Sequence, residues 1–314
     1  MSKYSSENTF FNYIITVHNK ESLIENVILS IITIMGDNSI IYPVLDGCTD
    51  RSESIIDELV FRYPDNKIVK LYANDVHELK SINVGLKAAN QNGFGFNIIL
   101  QDDVLLTDAD FEKHCLLLYN KFHNLGVVSF RHGANISREL IVKKTSVKPL
   151  IAYVENESGH NPDPLYKLKT GFFTYKEVAI KSPICISSEV VNKVGIPDEI
   201  YEPWDDLAYC YSVLCAGFYN GVYSIDFQSD VEWGTTRKKK QVLDISKVEI
   251  KNLQIFKNRV PEIIPLNRNI YSSERYQIFS SGKIYKNSVY GSMMSIIHRV
   301  IILVKTKFKI LSFK

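Results

Sequence analysis

The chain has 314 residues, of which 45% are hydrophobic and 23% charged, so it can bury a large core and intrinsic disorder is excluded. Its net charge of +2 hides an asymmetry, because residues 1–235 carry 20 Lys and Arg against 31 Asp and Glu, whereas residues 236–314 carry 17 against 4. A basic tail on an acidic body favours an anionic partner for the tail, either lipid head groups or nucleic acid.

The five cysteines include no CxxC pair, and their number is odd, so neither a disulfide framework nor a thiolate zinc site is indicated. No basic region precedes the first apolar segment, so no secretory signal is predicted. Together these features favour a reducing, cytoplasmic location.

Strand and helix patterns alternate through the first 130 residues. The predicted strands are 11–17, 40–45, 67–72, 97–100 and 125–130, and the predicted helices are 22–35, 79–89, 111–122 and one around 55–60 with Thr49 or Asp50 as its N-cap. This order predicts an α/β fold with a mainly parallel sheet that helices cover on both faces. In such sheets ligands bind outside the carboxyl ends of the strands.

Polar residues collect at those strand ends. Asn19 and Asp46 follow the first two strands, and a short apolar run ends in Gln101-Asp102-Asp103. Adjacent carboxylates repel each other unless they are solvated or neutralised, and a divalent cation shared with substrate phosphates neutralises them. The sequence therefore suggests a metal site here, with an ordinary solvated loop as the alternative.

The second half of the chain is less regular. Residues 131–176 predict a loop-rich excursion over one end of the sheet, followed by ordered structure at 178–187 and a short helix ending near Gly195. Trp204-Asp205-Asp206 precedes a predicted helix at 207–216, and a strand is predicted at 222–227. In the basic tail the longest uninterrupted apolar run, Val300–Val304, falls far short of the ~20 residues that a membrane-spanning helix needs.

Five motifs occur together in one order. They are Thr16-Val17-His18-Asn19-Lys20-Glu21, Asp46-Gly47-Cys48-Thr49-Asp50-Arg51-Ser52, Asn83-Val84-Gly85-Leu86-Lys87-Ala88-Ala89, Gln101-Asp102-Asp103 and Trp204-Asp205-Asp206. Their order and spacing resemble those of family 2 glycosyltransferases over roughly residues 10–238. The resemblance implies a GT-A fold, a nucleoside-diphosphate sugar donor, Mn²⁺ or Mg²⁺ as cofactor, and transfer with inversion at the anomeric carbon. It also implies a catalytic domain at 1–238, with a nucleotide-binding half at 10–130 and an acceptor half at 131–238, followed by a basic, mostly helical extension at 239–314.

The resemblance assigns roles to individual residues. Asp103 matches the metal ligand, Asp102 contacts ribose or a metal-bound water, and Asp46 accepts a hydrogen bond from the base, a task that suits a carboxylate because it only accepts. Gln101 departs from the family pattern, which begins with Asp, and this places metal affinity in question. The residues matched to the donor nucleotide are Thr16, His18, Asn19, Glu21, Asp46, Lys80, Asn83, Gln101, Asp102, Arg237 and Lys238.

Inverting transfer needs a general base that takes the proton of the acceptor hydroxyl. Asp205 and Asp206 match the acidic pair of the family, and its second member, Asp206, is the predicted base. The alternative is a helix N-cap, since Asp is favourable in a first helical turn. Arg237 and Lys238 would stabilise charge on the departing diphosphate, or else belong to a solvated linker.

The predicted function is an inverting glycosyltransferase acting on a glycan or lipid-linked glycan, as in bacterial cell-surface polysaccharide synthesis. Residues 288–314 are predicted to lie on an anionic membrane surface at the inner face, or to dock on the body or on another subunit of a homo-oligomer. A nucleotidyltransferase is disfavoured because no Gly-rich phosphate loop follows the first strand. Nucleic acid is not expected as a partner. The remaining alternative is a non-catalytic scaffold that binds nucleotide sugars.

Overall fold

One large mixed sheet forms the centre of the protein. The computed structural model describes residues 3–65, 67–130, 132–134, 170–201, 205–225, 227–229, 275–279, 281–286, 293–294, 296–298 and 300–301. The strands are β1 Phe10–Val17, β2 Ser39–Asp46, β3 Lys67–Ile68, β4 Leu71–Ala73, β5 Gly95–Gln101, β6 Val104–Leu106, β7 Leu125–Ser129, β8 His132–Ala134, β9 Phe172–Tyr175, β10 Val178–Ile180, β11 Ile184–Ser187, β12 Tyr219–Tyr223, β13 Phe227–Ser229, β14 Arg275–Ile278 and β15 Ile284–Lys286.

Six α-helices have both ends within the described residues. They are α1 Ile24–Ile32, α2 Ser52–Arg62, α3 Glu78–Ala89, α4 Phe111–Lys121, α5 Ser188–Val194 and α6 Asp205–Cys215. Two 3₁₀ turns span Asn90–Asn92 and Glu199–Tyr201. The alternation predicted from the sequence is therefore confirmed, with boundaries that differ by a few residues at most ends.

The strand order in the main sheet is β15-β14-β9-β12-β7-β11-β5-β1-β2-β3, and β4 also pairs with β2. β1 pairs in parallel with β2 and β5, and β2 pairs in parallel with β3 and β4. β11 runs antiparallel between β5 and β7, so the sheet is parallel from β5 to β3 and mixed beyond β5. Two short antiparallel pairs, β10-β8 and β13-β6, stand outside this sheet.

Helices cover both faces of the sheet, as the sequence predicts. Side chains of β1 alternate between the two cores, because Tyr13 and Ile15 pack with α1, α2 and α4, whereas Ile14 packs with α3, α5 and α6. A Cβ atom at Gly85 of α3 would lie 2.3 Å from Cγ2 of Ile14. Glycine at this position therefore allows α3 to approach β1 closely.

Three local predictions need correction. The strand predicted at 67–72 is split into β3 and β4, each of which pairs with a different part of β2. The helix predicted at 22–35 is shorter, since α1 begins at Ile24 and ends at Ile32. Arg51 rather than Thr49 or Asp50 is the N-cap of α2, although Asp50 still accepts a hydrogen bond from Ser52 N at 2.9 Å.

The basic extension contributes to the main sheet where it is described. β14 pairs with β9, and β14 and β15 form an antiparallel hairpin. Residues 293–294, 296–298 and 300–301 are helical, and no helix in the described residues is long and apolar enough to cross a membrane. Most of the predicted loop at 131–176 and of the extension lies outside the described residues.

Candidate active site

The strand register brings the candidate residues to one edge of the sheet. Thr16 of β1 pairs with Gln101 of β5, and Val17 of β1 pairs with Leu45 of β2. The carboxyl ends of these three parallel strands are therefore adjacent, and His18, Asp46 and Asp102 lie at or immediately after them. β11 runs in the opposite direction beside β5, so its amino end, preceded by Lys181 and Ser182, lies at the same edge.

The loops that follow β1 and β2 are tied together by side chains. Asn19, with a positive φ of 52°, accepts hydrogen bonds from the backbone N–H groups of Thr49 at 2.8 Å and Asp50 at 3.3 Å. Glu21 accepts from Arg51 N at 3.1 Å, and Asp50 accepts from Glu21 N at 2.9 Å. Asn19 and Glu21 therefore hold together the two loops at the sheet edge where the nucleotide is predicted to bind.

Asp102 is buried beside Lys20, a residue to which the sequence motifs assign no role. Its Oδ1 lies 3.1 Å from Lys20 Nζ, and its Oδ2 accepts from His18 N at 3.0 Å. Burial raises the pKa of Asp102 to about 6, against the opposing effect of the Lys20 ammonium and the His18 amide. The side chains of Lys20 and Asp102 are 8% and 12% exposed, so this pair is largely removed from water.

We expect Lys20→Met to lower the free energy of unfolding by roughly 3 kcal/mol at pH 8, because it leaves a buried carboxylate without its counter-ion. The loss should shrink as the pH falls toward about 6 and be small below it, because without Lys20 the Asp102 carboxyl is protonated at a higher pH than the value of about 6 that it has beside Lys20. Urea denaturation at several pH values measures both effects. Lys70→Met is the matched control, because Lys70 pairs with Glu53 and Asp57, which are 46% and 55% exposed, and should cost less than about 1 kcal/mol.

Asp46 presents a free oxygen at the end of β2. The residue is 2% exposed, its Oδ1 accepts from Val76 N at 2.7 Å, and its Oδ2 is buried with no hydrogen-bond partner in the described part of the chain. Gly47 follows with a φ of +63°, and a Cβ there would lie 2.8 Å from Cβ of Asp75. The Asp46-Gly47 sequence thus combines an acceptor with a turn that only glycine fits easily.

Asp46 also belongs to a group of three side chains that could hold a metal. His18, Asp46 and Asp75 each offer a ligand atom, and these atoms lie within 4.8 Å of one another. The Nδ1 of His18 lies 2.6 Å from the carbonyl oxygen of Asp46, which can only accept, so Nδ1 carries the hydrogen and donates a hydrogen bond to this carbonyl. Asp75 follows β4 and was not selected from the sequence; its signal was only a short polar turn after a strand.

Asp103 also carries an unsatisfied oxygen. Its Oδ1 is buried and has no hydrogen-bond partner among the described residues. A buried carboxylate oxygen without a donor is a suitable ligand for a hard divalent cation such as Mg²⁺ or Mn²⁺. Asp103 thus fits the ion that the resemblance implies, although it is not part of the His18, Asp46 and Asp75 group.

Gln101 is held on both its backbone and its side chain. Its N–H donates to Ser182 Oγ at 2.8 Å, and its side-chain amide donates to Glu78 Oε1 at 3.0 Å. Glu78 is the first residue of α3, so Gln101 connects the end of β5 both to this helix and to the turn before β11.

The predicted acidic pair begins α6 beside a buried lysine. Lys181 Nζ lies 2.5 Å from Asp205 Oδ2 and 4.0 Å from Glu78 Oε2. Although burial alone would lower it, the pKa of Lys181 is raised well above its ordinary value by the carboxylates of Asp205, Glu78 and Asp206. Burial raises the pKa of Asp206 to about 8, with Lys181 acting against this shift and Asp205 and Glu78 adding to it.

A cavity of about 20 Å³, which is room for about one water molecule, adjoins this acidic pair. Its lining is mostly apolar, and Lys181, Asp205 and Asp206 are its charged members. The apolar lining explains why the carboxyl of Asp206 holds its proton to a higher pH than usual, since burial disfavours the charged form.

The remaining predicted site residues differ in their surroundings. Asn83 is 1% exposed and donates to the Pro197 carbonyl at 2.9 Å and to Glu199 Oε1 at 3.2 Å, which ties α3 to the turn before α6. Lys80 is exposed on α3, and Thr16 is buried in β1. Trp204, Arg237 and Lys238 lie outside the described residues.

This acid-rich edge lies at the carboxyl ends of the parallel strands, where α/β folds of this kind bind ligands. Residues 13–182, more than half of the chain, match the sequence profile described as Glycosyl transferase family 2. The chain therefore belongs to this family and is a glycosyltransferase. No curated protein gives a significant match to the sequence.

Several solved glycosyltransferase structures are similar to this chain at low sequence identity. GalNAc-T7 with UDP, GalNAc and Mn²⁺ is 11% identical, with 70% of this chain and 43% of that one covered and a TM-score of 0.50. The mannosyltransferase PcManGT from Pyrobaculum calidifontis, in complex with GDP-Man and Mn²⁺, is 12% identical, with coverages of 93% and 80% and a TM-score of 0.48. S. aureus TarS with UDP is 12% identical, with coverages of 88% and 96% and a TM-score of 0.47. The predicted GT-A fold is confirmed, and this chain spans less than half the length of the GalNAc-T7 structure.

Proposed function

We propose that this protein is a metal-assisted, inverting glycosyltransferase in which Asp206 is the general base. The observation that carries the proposal is the position of Asp206, at the start of α6 and beside a mostly apolar cavity. Lys181, which also lines this cavity, precedes β11 at the sheet edge where β5 ends. A raised pKa suits a base that must accept a proton near neutral pH.

In this scheme the acceptor hydroxyl transfers its proton to a carboxylate oxygen of Asp206 as its oxygen attacks the anomeric carbon. The bond from that carbon to the diphosphate oxygen breaks on the opposite side, so configuration inverts. The free Oδ2 of Asp46 would accept a hydrogen bond from an N–H group of the donor's nucleobase. Asp103 would hold Mn²⁺ or Mg²⁺, whose charge offsets that of the departing diphosphate.

A donor screen tests the function directly. The full chain is incubated with a panel of nucleoside-diphosphate sugars and Mn²⁺, and released nucleoside diphosphate is detected by mass spectrometry. We expect release from one donor and its loss on chelation of the metal. Metal-dependent binding of UDP or GDP in calorimetry without any turnover would instead favour the non-catalytic scaffold, and the absence of both would contradict the proposal.

We further propose that the basic extension binds an anionic membrane surface, where a lipid-linked acceptor would be found. Side chains of the described helical residues Met293, Ile296, Ile297, Val300 and Ile301 are between 43% and 62% exposed and recur every three or four residues. On another side of this helical segment, His298 is only 6% exposed. Its Nε2 lies 2.9 Å from Ser281 Oγ, and its ring packs on that of Phe279, so this side is held against Phe279 and Ser281. No acidic residue follows Glu274, whereas eight Lys and Arg do.

The prediction is that the protein co-sediments with vesicles containing phosphatidylglycerol and not with pure phosphatidylcholine vesicles. Val300→Glu should weaken this binding by about tenfold, because it removes apolar contact and adds repulsion. Val60→Glu, at a similarly exposed valine on α2, is the control and should bind as wild type. Equal binding to both kinds of vesicle, or equal effects of both variants, would contradict the proposal.

A further inference from the structure

The turn before β11 carries a lysine to which the proposed mechanism gives no role. Lys181 is 15% exposed in its side chain and lies between α3 and α6. Its ammonium group contacts Asp205 at 2.5 Å and faces Glu78 at 4.0 Å, and Asp206 lies near enough to raise its pKa. Burying a lysine is costly unless carboxylates compensate for the loss of water, and here three carboxylates share one cation.

The turn that holds Lys181 is fixed to the nucleotide side of the edge. Ser182 accepts from Gln101 N at 2.8 Å, and Gln101 donates through its side chain to Glu78 at 3.0 Å. A continuous set of contacts therefore runs from Gln101 through Glu78 and Lys181 to Asp205. These contacts join the end of β5, where the nucleotide-sugar donor is expected, to the start of α6, where the general base Asp206 is expected.

We propose, on the basis of the function proposed above, that Lys181 is a positioning residue that holds the Asp205-Asp206 pair and keeps Asp206 able to accept a proton. Asp205 receives the direct ion pair, which fixes the first turn of α6 and hence the carboxyl of Asp206. The positive charge of Lys181 also favours the ionised form of Asp206, whereas Glu78 and Asp205 disfavour it.

The groups around Asp206 come from three elements. Lys181 belongs to the turn before β11, Glu78 to α3, and Asp205 and Cys210 to α6. Burial raises the pKa of the Cys210 thiol far above neutrality, so Cys210 stays uncharged in the working range. Lys181 is thus the cation among these groups. Removing Lys181 should raise the pKa of Asp206, whereas removing the charge of Glu78 should lower it.

Four full-length proteins test this: wild type, Lys181→Met, Lys181→Arg and Glu78→Gln. For Lys181→Met we expect kcat to fall by about 10- to 100-fold, donor Kd to change less than about threefold, and the rise of kcat with pH to move up by at least about one unit. Lys181→Arg should recover most of kcat because it keeps the cation. Glu78→Gln, which is isosteric, should move the same rise to lower pH.

The outcome that overturns the inference is a Lys181→Met enzyme, or a Glu78→Gln enzyme where the first variant does not fold, whose kcat–pH curve coincides with that of wild type. The Asp206→Asn variant separates this failure from failure of the proposed function. If Asp206→Asn is inactive while the pH curves do not move, the function stands and the role of Lys181 falls. If Asp206→Asn is fully active, the function itself falls.

Discussion

Asp206→Asn is expected to lower kcat by about 10²- to 10⁴-fold, the range that a general base contributes, with little change in donor affinity. Asparagine preserves the size and most hydrogen bonds of the side chain but cannot accept the proton of the acceptor hydroxyl. Steady-state transfer rates together with calorimetry for the donor nucleotide distinguish lost chemistry from lost binding. Asp57→Asn, at a carboxylate 55% exposed on α2, controls for the substitution itself and should leave kcat unchanged.

The pH dependence of the wild type follows from the same residue. Because the pKa of Asp206 is raised to about 8, the carboxyl is mainly protonated at pH 6 and mainly ionised at pH 9. Only the ionised form can act as the base, so kcat should increase as the pH rises through about 8. A rate that falls over this range, or residual activity of Asp206→Asn with the same pH curve, would contradict the assignment of Asp206.

The sequence predicts the first half of the fold because polar residues stand at the ends of β1, β2 and β5 or directly after them. An apolar run followed by Gln101-Asp102-Asp103 is sufficient to place a strand and its carboxyl end, and parallel pairing then brings Asp46 and Asp102 to one edge. The direction of β11 could not be predicted. The sequence at 178–187 reads as continuous apolar structure, yet a turn at Lys181 and Ser182 divides it into β10 and β11.

Side-chain partners across the edge were harder to infer than the strands themselves. Lys20 stands inside a matched motif, but nothing in its neighbourhood in sequence indicates that its ammonium reaches Asp102, 82 positions later. The partner of Gln101 could not be inferred from the sequence either. In sequence it is a departure from the family pattern, whereas in the structure its amide donates to Glu78, and an aspartate there would bring a second carboxylate against the first.

Asp103→Asn is expected to weaken binding of Mn²⁺ in the presence of nucleoside diphosphate by at least about 100-fold. Loss of a direct ligand should cost more metal affinity than the 10- to 100-fold that is typical when a residue hydrogen-bonded to a ligand is replaced. The expectation rests on the Oδ1 atom of Asp103, which is buried and has no hydrogen-bond donor in the described chain. Electron paramagnetic resonance of Mn²⁺, titrated with and without nucleotide, measures this without any need for turnover.

Asp75→Asn is the matched substitution that decides between the two arrangements of metal ligands at this edge. If the ion is held by Asp103 and the Oδ2 of Asp46 is left for the nucleobase, Asp75→Asn should leave Mn²⁺ affinity within about threefold of wild type, because Asp75 then provides no ligand to the ion. If instead His18, Asp46 and Asp75 hold the ion, Asp75→Asn should lose the Mn²⁺ signal and Asp103→Asn should keep it. That second result would place the metal at the end of β2, and another residue would then have to accept the hydrogen bond from the nucleobase.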